Sequence, residues 1–142
     1  MALSAGTLDW LADRHHGVLI TLRSDGSPQS SNLAFDVQDG AALVSVTADR
    51  AKTRNLRRDP RGLLHVVGDT FWVYASVRVA ATVGPVSTEP GDAVGQDLLR
   101  VYERISGTPH PDPQEFFEAM VADQRLVLRL ELLSAVGQGF PA

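Results

Sequence analysis

The chain contains no cysteine, which excludes a disulfide framework and any thiolate metal site. It holds one lysine, Lys52, while arginine supplies every other basic side chain. No run approaches the roughly 20 apolar residues of a membrane span. The opening MALSAGTLDWLADRHHG has neither the basic start nor the continuous apolar block of a secretory signal, so a soluble cytoplasmic protein is the expectation. Also missing are a G-x-S-x-G elbow, a glycine-rich dinucleotide loop and a P-loop. The four histidines, His15, His16, His65 and His110, lack the spacing of a metal pair, and no metal site or catalytic histidine is expected. A net charge of −4 and a pI near 5.4 speak against general nucleic-acid binding.

Against that acidic background stands one basic island, Ser45 to Arg61 (SVTADRAKTRNLRRDPR). Arg50, Lys52, Arg54, Arg57, Arg58 and Arg61 face two acids, Asp49 and Asp59. Such an island in an acidic protein calls for a specific anion. With 142 residues and 44% apolar content, the chain can bury one sizeable core, and a single domain is expected.

The patterns predict mainly strands. Leu8, Leu11 and Ala12, with Trp10, predict a short first helix. Gly17 to Arg23 is a β-branched run, and Asp25-Gly26 turns it into an antiparallel partner over Pro28 to Val37. That partner begins with polar residues on both faces, Gln29, Ser30, Ser31 and Asn32, as an exposed edge or a polar site would. After Gln38-Asp39-Gly40, Ala41 to Thr47 alternates, with Val44 and Val46 on one face and Ser45 and Thr47 on the other. The basic segment then forms a short helix that Asp59-Pro60 stops.

Gly62 to Val67 reads as a buried strand. Phe71 to Val83 reads as a long one whose second face carries Trp72, Tyr74 and Arg78, as a subunit or ligand surface would. Helical spacing follows from Glu89 to Ser106, and Asp112-Pro113 starts another helix with Phe116 and Phe117 in its core. Leu126, Leu128, Leu130 and Leu132 alternate in a last strand, and Val136 to Ala142 reads as a tail. Six strands with a helical excursion before the last predict a small β-barrel with peripheral helices.

The helix start offers free backbone N–H groups from Asp49 to Thr53, Ala51 among them. Arg50 and Lys52 add full charges there, and Thr53 and Asn55 add neutral donors. Phosphate is the natural ligand; the alternative is a charged helix that merely faces solvent. The polar strand start and the Ser45/Thr47 face put uncharged groups beside the anion site, as a heterocycle on a phosphate tail requires.

Gly26, Pro28, Gln29, Ser31 and Asn32 in the hairpin, followed by V-S-V-T-A-D-R-A-K-T-R-N-L-R-R-D-P, closely resemble the split β-barrel flavin and deazaflavin oxidoreductases of the pyridoxamine 5′-phosphate oxidase-like fold. The likeness is to the small actinobacterial branch that uses coenzyme F420. It implies a six-stranded split β-barrel and a homodimer with two cofactor sites at the subunit interface. It further implies that Arg50 and Lys52 hold the cofactor phosphate, with Thr53 and Asn55 nearby. Gln29, Ser31, Asn32, Ser45, Val46 and Thr47 would contact the ring system and its side chain, and Trp72 and Tyr74 of a partner subunit would close the pocket. The activity implied is hydride transfer from reduced F420 to a conjugated small molecule such as an enone, quinone or tetrapyrrole. FMN is the alternative cofactor, and a non-catalytic cofactor- or haem-binding protein is the alternative of another class.

Overall fold

A computed structural model of the chain describes residues 3–142. The Asp25-Gly26 turn joins β1 (His16–Leu22) to β2 (Pro28–Ala34) as an antiparallel hairpin. Gly26 takes φ +85°, which favours glycine, and the Asp25 carboxylate accepts the Ser27 N–H at 2.9 Å.

The segment expected as one strand from Pro28 to Val37 is two. It breaks at Phe35, whose side chain is fully buried, and resumes as β3 (Asp36–Gln38), which pairs with β4 (Ala41–Thr47). Beyond the break the buried Asp36 carboxylate is gripped by Arg104 Nε at 2.6 Å and Gln38 Nε2 at 2.7 Å, which turns the chain toward a different partner. The expected six strands are therefore seven, in the order β2-β1-β5-β6-β7-β4-β3, all antiparallel.

The two edges of this sheet, β2 and β3, are consecutive pieces of one segment, so the sheet must curl until its edges meet. Among the described residues no ladder joins β2 to β4, and the expected barrel stays open there instead of closing by hydrogen bonds. The core inside the curl is aliphatic. Leu126, Leu128 and Leu130 of β7 (Arg125–Gln138) are fully buried with Leu19 and Leu64, and Val44 and Val46 join them, so the valine face of β4 points inward as its alternation predicts.

Two long strands carry the bend. β5 (Arg61–Val67) pairs with β6 (Tyr74–Val86), which pairs with β7 through register shifts at Arg78/Val79 and Val83/Val86. β6 starts three residues later than expected because Thr70 to Val73 forms a turn, with Val73 N–H donating to Thr70 O at 3.1 Å. Phe71 and Trp72 thus sit in that turn and not in the strand. The strand also runs past its expected end at Val83 to Val86, with Gly84-Pro85 within the second shift. β7 also outruns its expected end, since Ser76 pairs with Val136 and Tyr74 with Gln138. Gly137 permits this, because a Cβ there would collide with the Tyr74 carbonyl.

Four helices surround the sheet: α1 (Ala5–Ala12), α2 (Ala51–Arg58), α3 (Ala93–Ser106) and α4 (Pro113–Ala122). The expected start of α3 at Glu89 moves to Ala93 because Asp92 is its cap. That carboxylate collects N–H groups from Thr88, Glu89 and Gly95, which holds residues 88–91 in a loop and keeps the carboxyl well below the usual carboxylate range. Asp112 caps α4 through the Glu115 N–H at 3.2 Å, with Pro113 at the first position. No helix among the described residues is long and apolar enough to cross a membrane.

Candidate functional site

The split in the sheet opens into a cleft of about 520 Å³. Asn32, Leu33 and Ala34 of β2 form one side and Ser45 of β4 the other, with Lys52 from α2 between them. The far wall comes from the helical excursion: Leu98, Val101, Tyr102 and Ile105 of α3, and Phe116 and Met120 of α4. The floor at the charged end is Arg125, the first residue of β7.

Arg125 is the residue that sequence reasoning missed. It lies directly opposite Thr47 in the β4–β7 ladder and reaches back along β4, its Nη1 donating to the carbonyl and hydroxyl oxygens of Ser45 at 3.3 Å each. Preceding it, Gln124 adopts φ +52°, a left-handed conformation rare outside glycine, between the end of α4 and the strand. The Gln124 carbonyl is tied to the Ala48 N–H at 3.1 Å, so the junction is fixed against the β4–α2 turn. The available signal is an arginine on the non-leucine face of the last strand. Its relevance depends on a pairing across 80 positions.

A second, polar cleft opens on the outer side of the same turn. Thr47, Asp49 and Arg50 face Asp123, Gln124 and Arg125 across it. At the start of α2 the Arg50 N–H donates to Thr47 O at 3.3 Å and the Thr53 hydroxyl to the same carbonyl at 2.9 Å. The amides of Ala51, Lys52 and Thr53 find no acceptor among the described residues, and Arg50, in the cap position, makes no side-chain capping bond.

The charges here are unbalanced. Arg50, Lys52 and Arg125 share the turn, and none is in an ion pair among the described residues although Asp49 and Asp123 line the outer cleft. Burial, then Arg50, then Arg125, push the Lys52 ammonium below its ordinary value. Among the described residues, two polar atoms buried at the same place find no partner, the Thr47 hydroxyl and Arg125 Nε. Unpaired cations, free helix amides and orphaned donors together fit an anionic ligand group.

The structure divides the residues expected from sequence. Asn32, Ser45 and Lys52 meet in the cleft at the split, and Thr47 and Arg50 in the outer one. Asn55 and Gln29 are occupied elsewhere. The buried Asn55 amide donates to Thr21 Oγ1 at 3.1 Å and Gln29 Oε1 at 3.2 Å, pinning α2 to the β1–β2 hairpin. Arg58 donates to Leu22 O at 3.3 Å at the same junction. Thr53 is fully buried on Thr47 O, Val46 points into the core, Ala51 contributes its amide, and Ser31 lies on β2 opposite Leu19. Trp72 and Tyr74 lie in neither cleft. Trp72 is 71% exposed and stacks edge-on with Phe71, while Tyr74 packs on His65, whose Nδ1 is 2.8 Å from the Ser76 hydroxyl.

A curled, split antiparallel sheet with unpaired cations at the turn between β4 and α2 defines a mainly β protein whose turn fits an anionic group. The chain belongs to the pyridoxamine 5′-phosphate oxidase family, whose pattern matches residues 6–133. It is 32% identical over 114 residues to the F420H(2)-dependent biliverdin reductase of Mycobacterium tuberculosis (strain CDC 1551 / Oshkosh), an alignment covering 79% of this chain and 78% of that protein. Among solved structures, an F420 reductase superposes with a TM-score of 0.74 at 22% identity, covering 96% of this chain and all of that one. The conserved hypothetical protein Rv2991 of Mycobacterium tuberculosis superposes with a TM-score of 0.71 at 25% identity, covering 95% of this chain and 83% of that one.

Proposed function

We propose that the protein is a coenzyme F420-dependent oxidoreductase that passes a hydride from the reduced cofactor to a conjugated small-molecule acceptor of the enone, quinone or tetrapyrrole type. The observation that carries this reading is the set of three unpaired cations, Arg50, Lys52 and Arg125, around the free first turn of α2, beside a cleft with an apolar wall. The relative named for F420H(2) dependence, at 32% identity, supports the choice of deazaflavin.

Arg50, Lys52 and the amides of Ala51 to Thr53 would hold the cofactor phosphate, and Asn32, Ser45 and Thr47 offer hydrogen bonds to its polar side chain. Bound in its reduced form, F420 would supply the hydride for an electrophilic carbon of the acceptor, with the balancing proton drawn from water or from the cofactor itself. The residues on this chain bind and orient, and the apolar wall keeps water from the reacting faces. FMN, which also joins a ring system to a phosphate, is the second reading, and the family match is compatible with it.

We further propose a cytoplasmic homodimer. Phe71, Trp72 and Val136 are each more than two-thirds exposed at the β5–β6 turn and the end of β7, an apolar patch suited to a second copy. In that dimer Trp72 and Tyr74 of the partner subunit would complete the cofactor pocket. Titrating the purified protein with F420, FMN and haem, followed by absorption and fluorescence, tests the cofactor assignment. Saturable binding of F420 at micromolar concentration, with FMN at least tenfold weaker, is expected; preference for FMN or haem contradicts it.

A further inference from the structure

The helical excursion from Ala93 to Ala122 does not contribute to the sheet, yet it builds most of the wall of the cleft at the split. Leu98, Val101, Tyr102, Ile105, Phe116 and Met120 make that wall continuous and apolar over two helices. The Tyr102 and Phe116 rings lie 5.5 Å apart, so part of the wall is aromatic. Phosphate recognition at the start of α2 has no use for such a surface. At the sheet end the same cleft meets Lys52 and Arg125, and Arg125 is the cation left over when Arg50 and Lys52 are assigned to a phosphate. Its Nε is buried and unpartnered, and its Nη1 bonds to Ser45 are long at 3.3 Å, so the guanidinium retains donors for an incoming anion.

We propose that this cleft binds a small conjugated carboxylic acid, with its ring system against the α3–α4 wall and its carboxylate on Arg125. Assigning that acid as the hydride acceptor rests on the F420 reading above; the existence of the acid site does not. An arginine fork meets both oxygens of a carboxylate, which gives an acid an advantage over a neutral molecule of the same shape. The apolar wall explains why the acid should carry a conjugated body instead of being a small hydrophilic anion.

The test uses the full chain and two fluorescent probes of one shape, anthracene-9-carboxylate and 9-anthracenemethanol, titrated without cofactor at low salt. The acid is expected to bind roughly ten- to hundredfold more tightly than the alcohol. Arg125→Met should bring the acid to the alcohol's level and leave the alcohol unchanged, and Arg125→Lys should restore part of the preference. Met120→Trp, which fills the cleft from the helical side, should weaken both probes. Equal affinities in the parent protein, or an acid preference that survives Arg125→Met with the native circular dichroism intact, overturn the proposal. Should Arg125→Met lose that spectrum, Met120→Trp decides, because acid binding that survives a filled cleft also overturns it. Saturating F420 separates the two readings. Acid binding undiminished by F420 supports neighbouring sites, and competition between them overturns the separate acid site. Failure of F420 to bind while the acid preference holds removes the cofactor reading and leaves the acid site standing.

Discussion

Lys52 shows most plainly how burial and neighbours set the chemistry of a single side chain. Its ammonium is pushed down by burial first and by Arg50 and Arg125 after that, so an anion that pairs with it pulls its affinity for the proton back up. The sign follows directly. In the free protein the charged form is penalised at neutral pH, and that penalty disappears as pH rises through the lowered value, so alkaline solution relieves the free fold. Affinity for an anion needs the charged form and moves the other way. Cofactor affinity should therefore fall in alkaline solution, starting below the ordinary lysine value of 10.5, whereas Lys52→Arg should show a flatter profile. Fluorescence titrations at stepped pH check this, and identical profiles for the two proteins contradict it. Asn55 makes the opposite case. Read from sequence it is a donor beside the phosphate, but its amide is spent on Thr21 and Gln29, and Asn55→Leu should destabilise the fold by about 1–3 kcal/mol through the buried acceptors it abandons. Urea unfolding measures that loss.

At the level of elements, local signals were legible and long-range partnerships were not. Asp25-Gly26 announces its hairpin, the Ser45/Thr47 alternation announces which face of β4 is polar, and Asp112-Pro113 announces α4, because each is decided by neighbours within a few residues. Phe35 is different. Leu33-Ala34-Phe35-Asp36-Val37 reads as unbroken strand, and only the Arg104 grip on Asp36, from an element 68 residues away, shows why the chain changes partner there. Arg125 escaped notice for the same reason, since it acquires its role through pairing with β4. Phe35→Ala should cost about 3–5 kcal/mol, as a fully buried aromatic at the junction of both sheet edges has little around it that can collapse. Asp92 carries the other element-scale prediction. Its carboxyl sits well below the usual range because it accepts three backbone N–H groups and the Ser87 hydroxyl, so it stabilises the start of α3 above the ordinary carboxylate value, and that support is lost as pH falls through the lowered one. Asp92→Ala should lower Tm at pH 7, with the difference from the parent narrowing from about pH 4 downward; a constant difference across that range contradicts the assignment.

Across the whole molecule, the curl that buries the leucine core also leaves the seam in which the candidate site residues gather. β2 and β4 approach without pairing, and the gap is lined from the sheet by Asn32 and Ser45, from α2 by Lys52, and from the excursion by the apolar wall. Site and fold are thus one feature, since closing the ladder between β2 and β4 would remove both the split and the cleft. The exposed Phe71, Trp72 and Val136 extend the account beyond one chain, and sedimentation should find a species near twice 15.3 kDa at micromolar concentration, with a monomer contradicting the shared pocket. The central claim is that Arg50 and Lys52, rather than the basic island as a whole, hold a cofactor phosphate. It is tested most directly by titrating F420 against the parent protein, Arg50→Ala, Lys52→Ala and Arg57→Ala, the last being an exposed residue of the same helix. Losing one charge-assisted contact should cost roughly 1.5–3 kcal/mol, so Arg50→Ala and Lys52→Ala should weaken binding about ten- to hundredfold while Arg57→Ala stays within about twofold. Equal losses at all three positions would contradict the account, because they would mean a diffuse basic surface in place of a site.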